Sequence, residues 1–416
     1  MLSVLIFVIL AISLFVNYKK TIIFILVFFT WISAFSLWGK DIMTFLGTLA
    51  VLLFPLKMGI HKITFHKFPL KIPFVLIALS SCFSAVLAKE HHYPSMIINI
   101  VEQLLFIMIA WFVYISNPKL VLRWFVHFAF VLGAIIAFYS LFETITRTNP
   151  YINFVYSLNA YTENTLITEI RFGLKRSQGL FDVHVTNGCV ALSMFMILFY
   201  AKANNMIKST KFIQIVLLLL ICTVFFTGAR SAILALFVAL PSFLDKKYLR
   251  AKYIVPLLVV LILFTGTEYF SEIYYATVNS NDAQMGSSED MRNNQFALAM
   301  FFMEKSIVFG NGIGFVGEVA NYSDEILGAE SLWLPIMIER GVFGIICYII
   351  LFIFSLGYFY KIKQYRLCFF ILSFWVFNSL TSIHNCSPTH VLMYSYLISE
   401  MNVICKKTNI ENMYNN

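Results

Sequence analysis

The sequence predicts an all-α polytopic integral membrane protein with about thirteen (12–14) transmembrane helices. Three observations predict it. The 416 residues are 60% hydrophobic and only 12% charged, with a mean hydropathy of +0.81. Long apolar runs recur along the chain, separated by short polar breaks. Lys and Arg gather on alternate breaks, the asymmetry that marks cytoplasmic loops.

Runs of about 16–24 apolar residues are each long enough to cross the hydrocarbon core. They fall near 2–17, 21–38, 42–57, 70–88, 95–116, 120–144, 179–201, 211–228, 230–244, 252–267, 331–359, 366–384 and 388–405. The first has no basic leader and no small-residue cleavage site, so it reads as a retained helix. Most of the 30 Lys and Arg lie on alternate loops, among them Lys19 and Lys20, Lys202 to Lys211, Lys246 to Lys252, and Lys406 and Lys407. Assigning those loops to the cytoplasm puts the N-terminus outside and the C-terminus inside. Five regions follow: N-terminal spans over 1–144, a first long external loop over 145–178, central spans over 179–267, a second long external loop over 268–330, and C-terminal spans with a short tail over 331–416.

The second loop is far longer than a membrane connection needs, and long loops of that kind are usually functional or disordered. It carries "SSEDMRNNQFALAMFFMEK". Ser288 is placed as an N-cap with acids in the first turn, so an amphipathic helix is expected to lie against the membrane or the helix bundle. Arg292, Phe296, Ala299 and Met303 follow at helical spacing. The helix should end at "FGNGIGFVG", where Gly310, Gly312 and Gly314 call for a turn. That turn is either a plain reversal or an anion-binding nest of backbone N–H groups.

Several function classes are excluded. In so apolar a chain the net charge of +9 reflects membrane topology rather than nucleic-acid binding. The seven cysteines form no CxxC pair and lie mostly inside apolar runs, and the histidines lack ligand spacing, so no metal site is expected. There is no phosphate-binding loop and no dinucleotide fingerprint.

The stretch "FFTGARSAILALF" carries Arg230 inside an otherwise apolar run. A charge in mid-membrane is costly, so the run is expected to break at Thr227-Gly228-Ala229 and leave Arg230 at the external boundary. Arg171, Lys175 and Arg176 in "RFGLKR" end the first long loop, and Arg292 lies in the second. Three segments distant in sequence thus bring guanidinium groups to one membrane face. Arginine presents a planar fork that binds phosphate oxygens bidentately and keeps its proton, which suits a diphosphate head group on a lipid. Glu339 and Arg340 sit side by side within a span and should either pair or line a polar cavity. Glu330 stands just before that span, and Asp182 heads the seventh.

These residues fall into four ordered motifs. "RSQGLFDVHVTNGCVAL" contains Arg176, Gly179 and Asn187. "TGARSAILAL" contains Arg230. "MRNNQFALAMFFMEKSIVFGNGIG" contains Arg292 and the three glycines. "ESLWLPIMIERGVFG" contains Glu339, Gly341 and Gly344. Together they resemble the O-antigen ligase and O-antigen polymerase superfamily of bacterial envelope glycosyltransferases, over roughly residues 171–350. The resemblance implies a fold similar to the GT-C glycosyltransferases and a metal-independent glycosyl transfer at the periplasmic face of the inner membrane, without cofactors. Donor and acceptor would be glycans linked to undecaprenyl diphosphate, with a chain-length regulator and a flippase as protein partners. Ligases of the family typically carry a His-Asn pair where this chain reads Ala329-Glu330-Ser331, which favours polymerisation of repeat units. A ligase or protein O-oligosaccharyltransferase using the same donor, or a flippase of lipid-linked sugars, are the alternatives. On the polymerase reading Arg230 and Arg292 stabilise the diphosphate, Arg171, Lys175 and Arg176 help to bind it, and Glu330 is the general base. Asp182 and Glu339 are lesser candidates for the base, and with Asn187 they have supporting positions.

Overall fold

The computed structural model describes residues 2–33, 35–37, 40–58, 68–87, 94–157, 170–171, 174–208, 210–243, 288–304, 306–316, 331–381, 390–401 and 403. The chain forms two compact units: Met1–Ala78 with Ile98–Phe237 and His384–Asn416, and Leu79–Ile97 with Val238–Ile383. In order, the helices are α1 (Leu2–Val16), α2 (Tyr18–Val27), α3 (Phe29–Ile32), α4 (Ile42–Met58), α5 (Lys71–Leu87), α6 (Pro94–Ser116), α7 (Pro118–Thr146), α8 (Pro150–Ser157), α9 (His184–Ala203), α10 (Lys211–Phe226), α11 (Arg230–Ala239), α12 (Ser288–Glu304), α13 (Trp333–Lys361) and α14 (Tyr365–Ser379). A helix α15 covers 390–401. Two antiparallel pairs of two residues interrupt them: β1 (Ser36–Leu37) with β2 (Lys40–Asp41), and β3 (Ile170–Arg171) with β4 (Leu174–Lys175).

Three of the described helices, α7, α9 and α13, are long and apolar enough to cross a membrane, and seven shorter apolar helical stretches of 10–17 residues accompany them. The expected span at 252–267 lies outside the described residues. The span expected over 21–38 is cut short. The helix breaks at Phe28 and ends at Ile32, and the chain then enters the β1–β2 pair. The Asp41 carboxylate accepts the Met43 N–H at 2.7 Å and caps the start of α4. The central span starts at His184 rather than 179, which leaves residues 176–183 irregular.

In the first unit α7 packs against α2, α9 and α10. Pro118 opens α7 at a position where its missing N–H has no helical partner, and Arg147 closes it in the left-handed conformation. Almost every residue of α9 from Thr186 to Leu198 is buried, as a helix apolar on all sides requires. Lipid tails are as apolar as leucine, so close packing and polar ties, rather than exclusion of water, must hold these helices together. Phe125 is fully buried on α7 and stacks on Tyr396 of α15 at 5.5 Å. Tyr18 donates to the Ala50 carbonyl at 2.7 Å and ties α2 to α4.

In the second unit α13 packs against α12 and α14. The amphipathic helix starts at Ser288 as expected. Its buried face differs from the expected stripe, however. Gln295 and Ala299 face inward, whereas Phe296 is exposed. Ala299 packs on Val316, Leu334 and Ile338. The small side chain lets α12 approach α13 closely, which a phenylalanine at that place would prevent.

Candidate functional site

Two constellations carry the motif residues, one in each unit. In the first, the apolar run breaks where Arg230 required it to. Helix α10 ends at Phe226, Gly228 takes φ 58°, and Arg230 is the first residue of α11. The Thr227 hydroxyl donates to the Val224 carbonyl at 2.7 Å and accepts the Ala229 N–H at 3.3 Å, so the turn is bonded within itself. Thr227, Gly228 and Ala229 are buried, and Arg230 is half-buried.

The loop that carries the first motif lies on this turn. Arg176 donates from Nε to the Thr227 carbonyl at 2.9 Å and from a terminal nitrogen to the Gly228 carbonyl at 3.4 Å. The Ser177 N–H donates to the Phe226 carbonyl at 3.0 Å. Three carbonyls at the end of α10, which helical bonding leaves without partners, are thereby satisfied, and the guanidinium sits at the negative end of the helix dipole. The loop is held from behind by Glu143 on α7. Its carboxylate accepts the Gly179 N–H at 2.7 Å and the Ser177 hydroxyl at 2.9 Å, and it pairs with Lys175 at 3.2 Å. Glu143 is fully buried and Lys175 nearly so. Asn187 on α9 donates to the Ser140 hydroxyl at 3.0 Å and to the Ser177 carbonyl at 3.2 Å. Asn149 donates to the Gly179 carbonyl at 2.9 Å. Lys175 and Arg176, expected as ligands of a diphosphate, thus have partners inside the protein. Asn187 thus holds the loop, and Asp182 is exposed beside it.

The second constellation joins the third and fourth motifs. Helix α13 is broken at Gly341, with φ 59° and ψ −159°. The break frees backbone groups on both sides, and the segment after α12 takes them up. Asn311 and Gly312 donate their N–H groups to the Ile338 and Glu339 carbonyls at 2.9 and 3.1 Å, while Val342 and Phe343 donate to Ile307 and Val308 at 2.9 and 3.0 Å. The Ser84 hydroxyl also donates to the Glu339 carbonyl. The approach requires glycine on both sides. A Cβ on Gly310 would lie 2.3 Å from the Glu339 carbonyl carbon, and one on Gly341 2.4 Å from the Ile307 oxygen.

The Glu339 side chain closes this arrangement. One carboxylate oxygen accepts the Gly314 N–H at 2.9 Å and the Val316 N–H at 3.3 Å. The glycine turn therefore forms a nest of N–H donors, and the carboxyl group it holds is the protein's own. Glu339 and Arg340 take different partners. Arg340 lies over the Tyr348 ring at 5.4 Å and donates to its hydroxyl at 3.2 Å. Removing the carboxylate leaves two buried N–H groups without an acceptor. Glu339→Ala is thus expected to destabilise the protein by about 1–3 kcal/mol, and Glu339→Gln, which keeps an acceptor oxygen, by less. Thermal unfolding of the purified variants measures the difference; equal melting of Ala and wild type would contradict the role.

Arg292 lies in the first turns of α12 and Arg171 in β3, and their side chains, like the whole of Glu330, lie outside the described residues. Sequence reasoning missed Glu143, Asn149 and Ser177. A signal for Glu143 existed: an acid near the end of an apolar run needs a partner, the argument applied to Glu339. Its partner could not be read, because Lys175 lies 32 residues further along.

Residues 215–349 match the family model described as O-antigen ligase. The chain carries a domain of the O-antigen ligase and polymerase superfamily. None of the curated proteins compared matches the chain. The O-antigen ligase match begins in α10 and ends in α13 beyond the Gly341 break, so it includes the Arg230 turn, α12 and the Glu339 nest. The Arg176 loop lies outside it, but is bonded to the turn inside it. With its apolar helices the chain is a multi-pass membrane protein, and over residues 215–349 it is similar to O-antigen ligases.

Proposed function

We propose that the protein polymerises oligosaccharide repeat units linked to undecaprenyl diphosphate, at the periplasmic face of the inner membrane. The observation that carries this reading is Arg230 at the head of α11. The N-terminus of a helix is already positive, and a guanidinium there makes a doubly positive locus that favours an anion. An apolar helix on each side of the turn suits an anion on a lipid.

In the proposed reaction a hydroxyl of the incoming unit attacks the anomeric carbon of the donor glycan. The new glycosidic C–O bond forms as the bond to the diphosphate breaks, and undecaprenyl diphosphate leaves with the electron pair. Arg230, joined by Arg292 and Arg171, stabilises the negative charge that develops on it, as preorganised donors do without reorganisation. Glu330 takes the hydroxyl proton, and Asp182 is the lesser candidate for that role. A chain-length regulator and a flippase would serve such an enzyme. The N-terminus is placed in the periplasm and the C-terminus in the cytoplasm.

Polymerisation is preferred over ligation because Ala329-Glu330-Ser331 stands where ligases typically have a His-Asn pair. The purified protein, given a defined lipid-linked repeat unit, should yield a ladder of lipid-linked polymers. Transfer only to a lipid-core or protein acceptor would make it a ligase or an oligosaccharyltransferase, and movement of the lipid without any new bond a flippase. Glu330→Gln should slow chain growth by about 10²-fold if Glu330 is the base; unchanged growth would dismiss it.

A further inference from the structure

The basic pair Lys175-Arg176 looked like part of an anion site, but its surroundings give it a different task. Glu143, Lys175, Ser177 and Asn187 are buried together, and Arg176 is nine-tenths buried. Glu143 binds the residues on both sides of Arg176: Lys175 before it, Ser177 and Gly179 after it. Arg176 and Ser177 in turn hold Phe226, Thr227 and Gly228, the residues that lead directly into Arg230. A continuous line of polar contacts thus runs from α7 to the head of α11. Every link belongs to one compact unit.

We propose that Glu143, Lys175 and Arg176 form a clasp that positions Arg230, with Lys175 as the counter-ion of Glu143 rather than a ligand of the diphosphate. Glu143 and Arg176 are positioning residues. The clasp fixes where the α10–α11 turn lies and thereby where the Arg230 side chain starts. The functional half of the inference rests on the reading of Arg230 given above; the structural half does not.

A buried ion pair supplies the decisive test. Removing one partner leaves the other charge buried and unpaired, which is strongly destabilising, whereas removing both is often tolerated. Glu143→Gln strands Lys175. Glu143→Gln combined with Lys175→Met removes both charges and leaves an amide oxygen to accept the Gly179 N–H and the Ser177 hydroxyl. The full-length protein in lipid nanodiscs is followed by amide hydrogen exchange at Ser177, Thr227, Gly228 and Ala229, and by extension of a lipid-linked repeat unit.

Glu143→Gln is expected to raise exchange at these amides by about tenfold or more and to slow extension similarly, and the double variant should recover both. Unchanged exchange in Glu143→Gln would overturn the clasp. So would a double variant that extends more slowly than Glu143→Gln alone, because Lys175 would then be contacting substrate. If Glu143→Gln fails to fold, recovery of a folded, active protein in the double variant carries the same conclusion, and a double variant that also fails to fold overturns it. Arg230→Ala serves as the separate arm. Normal extension by that variant would remove Arg230 from the diphosphate reading, while exchange at the turn would still decide the clasp.

Discussion

Replacing Arg230 with alanine should abolish polymer formation while the protein remains in the membrane. Removing one preorganised donor from a developing oxyanion typically costs about 10²–10³-fold in turnover, or ~2.7–4 kcal/mol. The loss should exceed that for an ordinary surface arginine because Arg230 is half-buried at the head of a helix. Arg230→Lys should recover little, since an ammonium cannot reproduce the planar fork. Arg292→Ala is expected to have a comparable effect. Gels of envelope glycans from cells carrying each variant, with immunodetection of the membrane protein, give the measurement. Normal ladders from both variants would end the diphosphate reading. The turn itself should survive the change, because Thr227 and Arg176 bond it.

Gly310→Ala should be the most damaging small substitution outside that turn. Gly310 adopts φ +72°, a region that costs an L-residue roughly 1–2 kcal/mol. The added carbon would also meet the Glu339 backbone at 2.3 Å. Backbone cannot move aside as a flexible side chain can, so the glycine turn must separate from the Gly341 break. The paired bonds from Asn311, Gly312, Val342 and Phe343 would weaken together. A total cost of about 3 kcal/mol or more is expected, at the upper end for single substitutions. Thermal unfolding in detergent would show it. Gly357→Ala is the control: nothing lies within 4 Å of a Cβ there and alanine is the better helix former, so that variant should melt at or slightly above the wild type. A Gly310→Ala protein that melted with the wild type would show that the turn does not need this approach.

The second unit also shows how the role of a motif depends on a distant partner. Gly310, Gly312 and Gly314 form a turn with positive φ at each, as the sequence called for. Glu339, 25 residues beyond Gly314, fills it, although in the sequence that residue reads as a partner of Arg340, the lining of a polar cavity or a lesser candidate base. Adjacent residues on a helix point to different sides, so Glu339 and Arg340 were free to find separate partners. The helix within the span expected over 21–38 is shorter in the structure, because hydropathy averages over a window and does not register the break at Phe28.

Hydropathy, charge alternation and the price of an arginine in lipid were enough to predict a helical membrane protein and the break before Arg230. Each of these depends on residues close together in the chain, where the periodicity of an apolar run or the presence of a glycine acts directly on the backbone. The partners of Lys175, Arg176 and Glu339 depend instead on segments 23 to 52 residues apart meeting in a packed interior. A basic side chain has the same sequence signature whether it awaits a phosphate or balances a buried carboxylate. Folding separates the two cases, because a charge enclosed in the protein must be met by one of the protein's own groups.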